Sequence, residues 1–305
     1  MENQNQEQPQ KKSINDVVNE YKEKHSEDKK ADVNEVKEVK TASIPHANEQ
    51  FKEIMQKETD PDLTTTYEIV KFPSEGLFYS NKISEVEVEY MTSKDEDLIT
   101  TPSLIEKGKV LDVLLKRKIK TQGINIDELL PGDRNAILLF LRTSSYGFEY
   151  AVEVSDPRTG IPFQETVDLG KLKYKELEEK PDINGHFEVY IPMRKKNVKF
   201  KLLSVGEDNH LFNQAEAIKE AYNLEFSEYN TMKLIAQIVS IEENTDKNYI
   251  KKFVEAMPAL DALTIKRKVL DVSPDVDMQY EFTAKDGFKF PAKLTIGVDF
   301  FFPAI

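Results

Sequence analysis

The residues in this sequence that could do chemistry are few and poorly grouped. Cysteine is absent, and the only histidines are His25, His46, His186 and His210. A catalytic site needs a nucleophile or base held beside groups that tune it, and no such grouping surrounds these histidines. His25 and His46 lie in a polar tail; His186 opens a strand and His210 opens a helix, which reads as surface placement. There is no Gly-rich phosphate loop, no nucleophile elbow and no His-x-x-x-His pair. Asp95, Glu96 and Asp97 could hold a cation, but acidic residues in the first turn of a helix are the more ordinary reading. Asp133-Arg134 reads as structural, the Asp complementing a helix dipole and the Arg pairing with a carboxylate. Aspartate and glutamate are abundant, yet no spacing selects a pair for hydrolysis. Basic runs occur at 116–120, 194–196 and 265–268. Each falls at a helix end or a hairpin tip, where a solvated face and an anion-binding role both remain open.

The elements that position these groups are organised around residues 90–147. Ser93 and Glu96 have capping-box spacing. Thr101-Pro102 starts a second helix, whose apolar face is Val110, Leu111, Leu114 and Leu115 and whose end is the run Lys116-Arg117-Lys118-Ile119-Lys120. Pro131-Gly132-Asp133 starts a third helix, apolar on nearly every side from Ala136 to Leu141 and therefore central. A strand over Thr64–Phe72, a turn at Pro73–Gly76 and an alternating strand over 84–90 precede these helices. Two hairpins follow. Phe148–Val154 returns through Ile161–Leu169, and Gly185–Met193 returns through Val198–Leu203 with Arg194–Asn197 as the tip.

The predicted organisation is α+β, with antiparallel strands and hairpins around a central helical core. Residues 1–62 form a disordered acidic arm, too poor in apolar residues to offset its ordering entropy. Residues 63–205 form an α+β domain with two hairpins. Residues 206–274 form a helical subdomain of four helices, His210–Leu224, Ser227–Ile241, Asp246–Met257 and Ala259–Val272, with Ser227 and Asp246 as N-caps. Residues 275–305 form a hairpin about Asp286-Gly287 that packs back on the domain. Within the arm, Ser13 caps an amphipathic stripe of Ile14, Val17, Val18 and Tyr21, and Phe51, Ile54 and Met55 form a smaller one. Such a stripe either docks into a partner groove or has no role. The terminal Phe300, Phe301 and Phe302 must close the domain's core or lie in an interface, since each ring buries roughly 150–250 Å². The partner-binding candidates are therefore Ile14, Val17, Val18, Tyr21, Phe300, Phe301 and Phe302.

Composition narrows the class of partner. The chain has 305 residues and a formal charge of −13, which opposes a polyanion such as DNA or an anionic membrane as the main partner. Without cysteine, disulfides and thiolate metal ligands are impossible, and a reducing cytoplasm suits the chain. MENQNQEQPQKK has no apolar core and is no signal peptide. No apolar run reaches the roughly 20 residues that span a bilayer.

The order FPSEGLFY (Phe72–Tyr79), MTSKDEDLI (Met91–Ile99), LIEKGKVLDVLL, then LLPGDRNAILLFLRTSSYGFEY (Leu129–Tyr150) resembles the T4-type baseplate hub proteins of contractile-tailed phages. The ending DFFFP (Asp299–Pro303) fits as well. The resemblance covers roughly residues 65–170 and implies a tail component or a hub assembly factor. It implies no enzyme and no cofactor, other tail or baseplate proteins as partners, and a place in the host cytoplasm during assembly or in the virion. Many members look like zinc ribbons, with paired cysteines near turns where this chain has Ser155–Gly160 and Ala284–Gly287, so no zinc carries over. The competing reading is a nucleic-acid-binding module using the three basic runs; steep salt dependence of DNA binding would mark it.

Overall fold

The computed structural model describes residues 66–302. The arm and its stripes, Ile14, Val17, Val18, Tyr21 and Phe51, Ile54, Met55, lie outside the described residues. The described part is mixed α+β, with helices among small antiparallel sheets. Strand β1 (Tyr67–Lys71) pairs with β2 (Glu85–Glu89) in the register Val70↔Val86 and Glu68↔Val88. Alternation turns Val70, Val86 and Val88 inward and leaves Glu85 and Glu87 outside.

Three helices follow, α1 (Ser93–Ile99), α2 (Pro102–Glu106) and α3 (Val110–Lys118). The predicted capping box is displaced by one residue. Thr92 is the N-cap, and Asp95, not Glu96, receives its N–H at 2.8 Å and its hydroxyl at 2.9 Å. The expected single helix from Pro102 through Lys118 is two. Gly108 takes φ +62° and the chain closes with Gly108 N–H on Ile105 O and Lys109 N–H on Leu104 O, a glycine-terminated C-cap. Helix α4 (Pro131–Tyr146) is the central helix, burying Ala136, Ile137, Leu138 and Leu141. Its start is pressed against the 274–275 backbone: a Cβ on Gly132 would lie 2.0 Å from the Pro274 carbonyl oxygen.

Strands β3 (Glu149–Ser155) and β4 (Pro162–Asp168) form one hairpin, and β5 (His186–Ile191) with β6 (Lys196–Lys201) another, its tip at residues 192–195. Helix α5 (Val205–Ala221) begins before the expected His210, because Ser204 and Glu207 form a reciprocal capping box: Glu207 N–H donates to Ser204 Oγ at 3.2 Å and Ser204 N–H to Glu207 Oε2 at 3.0 Å. Helix α6 (Tyr229–Gln237) is capped at Glu228, not Ser227, and stops short of Ile241. Residues Ile238–Ile241 are instead strand β7, paired antiparallel with β6. The run Ile-Val-Ser-Ile suits a pleated, buried site, and Ile238 and Ile241 fill it. Helices α7 (Lys247–Glu255) and α8 (Ala259–Val272) follow, with Asp246 capping α7 as expected. Strands β8 (Gln279–Thr283) and β9 (Lys289–Lys293) end in a 3₁₀ turn at Val298–Phe301.

One core joins β1, β2, α1, α3, α4, the β4 residue Val167 and the final hairpin; another joins β5–β7 with α6, α7 and α8. Among the described residues no helix is long and apolar enough to cross a membrane.

Candidate docking surface

Two of the sequence motifs meet at a buried node. Asp133, in the first turn of α4, accepts the Ser74 N–H at 3.0 Å and the Tyr79 hydroxyl, while that hydroxyl accepts the Leu130 N–H at 2.9 Å. Burial raises the Asp133 pKa above the usual carboxylate range; the Ser74 and Tyr79 bonds oppose it, and nearby Asp275 adds to it. Tyr79 is also raised, by burial first and then by Asp133. Arg134 pairs with Asp112 at 3.1 Å. The node is structural: it pins the Pro73–Tyr79 loop to the start of the central helix.

The acidic cluster and the first basic run satisfy each other. Lys118 Nζ lies 2.6 Å from Asp95 and 3.4 Å from Glu89, with the Lys118 and Asp95 side chains essentially out of solvent. Arg117 reaches Asp95 at 3.1 Å and Lys120 reaches Glu89 at 3.1 Å. Burial works against the Asp95 charge, but Lys118 and Thr92 more than offset it and lower its pKa. Glu96 turns away to the Tyr146 hydroxyl at 3.3 Å. The three carboxylates do not form a metal-holding group among the described residues, and within the run Lys118 is buried in an ion-pair network while Lys116, Arg117 and Lys120 stay exposed at the helix end.

The second run is an exposed hairpin tip whose backbone is anchored. Buried Asp261 accepts the N–H groups of Met193 at 2.8 Å and Arg194 at 3.0 Å, and Arg194 donates to the Ala256 carbonyl. In the third run Ile265 is buried and Lys268 pairs with Glu179, while Lys266 and Arg267 stay exposed. The 156–160 and 284–287 turns are brought together by Arg158, which contacts Asp156 at 2.9 Å and Asp286 at 2.7 Å and lies 3.8 Å over the Phe288 ring.

The terminal aromatics divide. Phe300 and Phe301 are buried in the first core, with Phe300 edge-on to Tyr150 at 4.9 Å. These two rings close the domain's core, one of the two places expected for the terminal aromatics. Phe302 is 39% exposed. Arg142 fixes this segment by donating to the carbonyls of Phe300 at 2.8 Å and of Gly147 and Glu149 at 3.1 Å.

Further exposed apolar residues lie elsewhere, where sequence reading placed no site. Helix α5 buries only Ala215 over its length, and it is followed by Tyr222 (75% exposed) and Phe226 (69%). Beside it a cavity of about 730 Å³ opens among α5, α6, α7 and α8. Its lining includes Ile218 of α5, Met232, Leu234 and Ile235 of α6, Val254 of α7, then Met257 and Ala262. The signal in the sequence is an apolar face at helical spacing, Met232 and Ile235 continued by Met257, whose residues are only partly buried.

Residues 64–302 match the family described as T4 bacteriophage base plate protein. That span is most of the chain, and the chain belongs to this family. No curated protein and no solved structure matches it.

Proposed function

We propose that this baseplate protein is a component of the baseplate hub, or a factor that assembles the hub, and that it works by offering shaped surfaces to other tail proteins without catalysis. The observation that carries the reading is the baseplate family match over residues 64–302, to which the ordered motifs add the resemblance to hub proteins.

The state of Lys233, which borders a cavity of about 200 Å³ with Asp208 and Asp275, supports a non-catalytic role. Lys233 there is bonded to Asp208 at 2.9 Å and to Tyr229 at 3.2 Å. Burial pulls its pKa down, but these partners outweigh burial and raise it, the wrong direction for a general base. The formal charge of −13 supports the protein-binding reading over nucleic acid.

Mass spectrometry of purified virions beside assembly intermediates tests the proposal. The chain is expected in hub-containing particles, in both samples for a resident subunit or in intermediates alone for an assembly factor. Absence from both overturns it.

A further inference from the structure

We propose that the cavity between the start of α4 and the ends of α6 and α8 is a binding site for a neutral primary carboxamide carried on a short aliphatic body. The inference goes beyond the hub reading and does not depend on it. Among the described residues nine polar or charged residues are buried, and Gln237, 4% exposed, is the one whose side chain has neither a hydrogen bond nor an ion pair. Buried polar groups are nearly always satisfied, and a side-chain amide offers two donors and a carbonyl. The orphaned hydroxyl of Ser227 is sealed from solvent, but the Gln237 amide keeps accessible surface and lines a cavity of about 200 Å³. Helix α6 sets Lys233 and Gln237 four residues apart on one face, and both line the cavity.

The walls select the body of the ligand. Leu130 and Pro131 at the start of α4, Leu202 and Leu203 after β6, and Val269 and Leu270 on α8 make them mostly apolar. A cavity of about 150 Å³ takes benzene, so this one takes a group of roughly six to eight non-hydrogen atoms. The polar groups select its head. Lys233 Nζ is held by Asp208 at 2.9 Å and by the Tyr229 hydroxyl at 3.2 Å, so its charge is already answered and an anion finds no free cation. Ser273 Oγ donates to the Val269 carbonyl at 2.6 Å, which leaves it only as an acceptor. Asp275 Oδ1 accepts from Asn135 at 3.0 Å and Val276 at 2.8 Å, while Oδ2 has Lys293 only at 3.9 Å. The polar lining is therefore rich in acceptors, with the Gln237 amide open at both ends. A primary carboxamide supplies two N–H donors and one carbonyl, and it pairs with another amide through two hydrogen bonds. A carboxylate or a ketone brings no donor, and an ammonium leaves the Gln237 N–H groups without an acceptor. A free small amide and the glutamine side chain of another protein carry this same head.

The test uses the full chain, isotope-labelled, and reads the Gln237 side-chain N–H signals, identified by their loss in Q237M. Isobutyramide is compared with isobutyrate, isobutylammonium and methyl isopropyl ketone, which share its branched body. Isobutyramide is expected to shift those signals saturably and to bind at least about tenfold tighter than each of the others, as the cost of leaving a buried amide unpaired requires. Acetyl-Ala-Gln-Ala-amide against acetyl-Ala-Met-Ala-amide separates the sources. If the glutamine peptide matches isobutyramide, the site takes a partner's side chain; if isobutyramide alone binds, it takes a free amide. Q237M keeps the length of the side chain, and with no partner lost inside the fold it should leave the melting temperature unchanged while removing the preference for isobutyramide. Equal affinities for the four compounds overturn the proposal. So does the lack of a saturable shift with any of them, which leaves water as the occupant, or a melting temperature that falls in Q237M, which gives the amide a partner within the fold.

Discussion

Lys118→Met separates the internal network from every surface role of the first basic run. Methionine keeps most of the apolar stem and removes the ammonium 2.6 Å from Asp95. Asp95 is then left with Arg117 at 3.1 Å and the two Thr92 donors, and Glu89 with Lys120 at 3.1 Å. Breaking a buried pair from one side costs about 3–5 kcal/mol. Because Asp95 keeps other donors, the lower end, about 3 kcal/mol, is expected. At roughly 2–4 °C per kcal/mol for a folded region of this size, the melting temperature falls by roughly 6–12 °C. Urea unfolding of Lys118→Met, Asp95→Asn and the double variant at neutral pH measures the coupling directly.

The pH dependence gives the sign. Asp95 is lowered below its ordinary 3.8, so its contribution is complete above that value and is lost as pH falls through the folded-state pKa. In Lys118→Met the ammonium no longer holds the carboxylate down, so the gap between variant and wild type narrows on acidification. A neutral-pH melting temperature within about 1 °C of wild type would refute the argument, since an ion pair so shielded cannot be removed that cheaply.

Three further perturbations test other joints. Tyr79→Phe removes the donor to Asp133 and the acceptor of the Leu130 N–H, at about 1–3 kcal/mol by denaturant unfolding. Asp133 is raised above 3.8 in the fold, so its folded form gains stability as pH falls through that raised value; the deficit of Tyr79→Phe is largest at neutral pH and shrinks in acid. Arg142→Met strands the Phe300, Gly147 and Glu149 carbonyls and should cost at least about 3 kcal/mol, with faster hydrogen exchange near Phe300 as its local sign. Gly132→Ala drives a Cβ into the Pro274 carbonyl and should lower stability by at least about 1–3 kcal/mol, read as a fall in the urea midpoint.

Local patterns carried most of the elements. Val86 and Val88 alternate, Pro131 stands at the first helical position, and Asp246 caps α7, each readable from spacing alone. What escaped was decided by contacts distant in sequence. Ile238–Ile241 continues a helical apolar spacing, yet it pairs with β6 some forty residues earlier, and no local window contains that strand. The break at Gly108 was not expected, because the Leu104 and Ile105 carbonyls that close the turn had to be in place for it to form. The cavity beside α5 was illegible for a related reason. Whether Met232 or Met257 faces a core or an opening depends on how four helices are set against one another, not on the period within any one of them.

The fate of each basic run follows from the helix that carries it. In α3, Lys118 is four residues after Leu114 and three after Leu115, so it sits on their buried stripe and must enter the protein with them. A lysine so placed is tolerable only against carboxylates, and Asp95 and Glu89 supply them. In α8 the buried stripe is Asp261, Ile265 and Val272. Lys268 lies on it and turns to Glu179, while Lys266 and Arg267 fall off it and face outward. The same periodicity that takes some cations into the protein therefore leaves the others facing solvent.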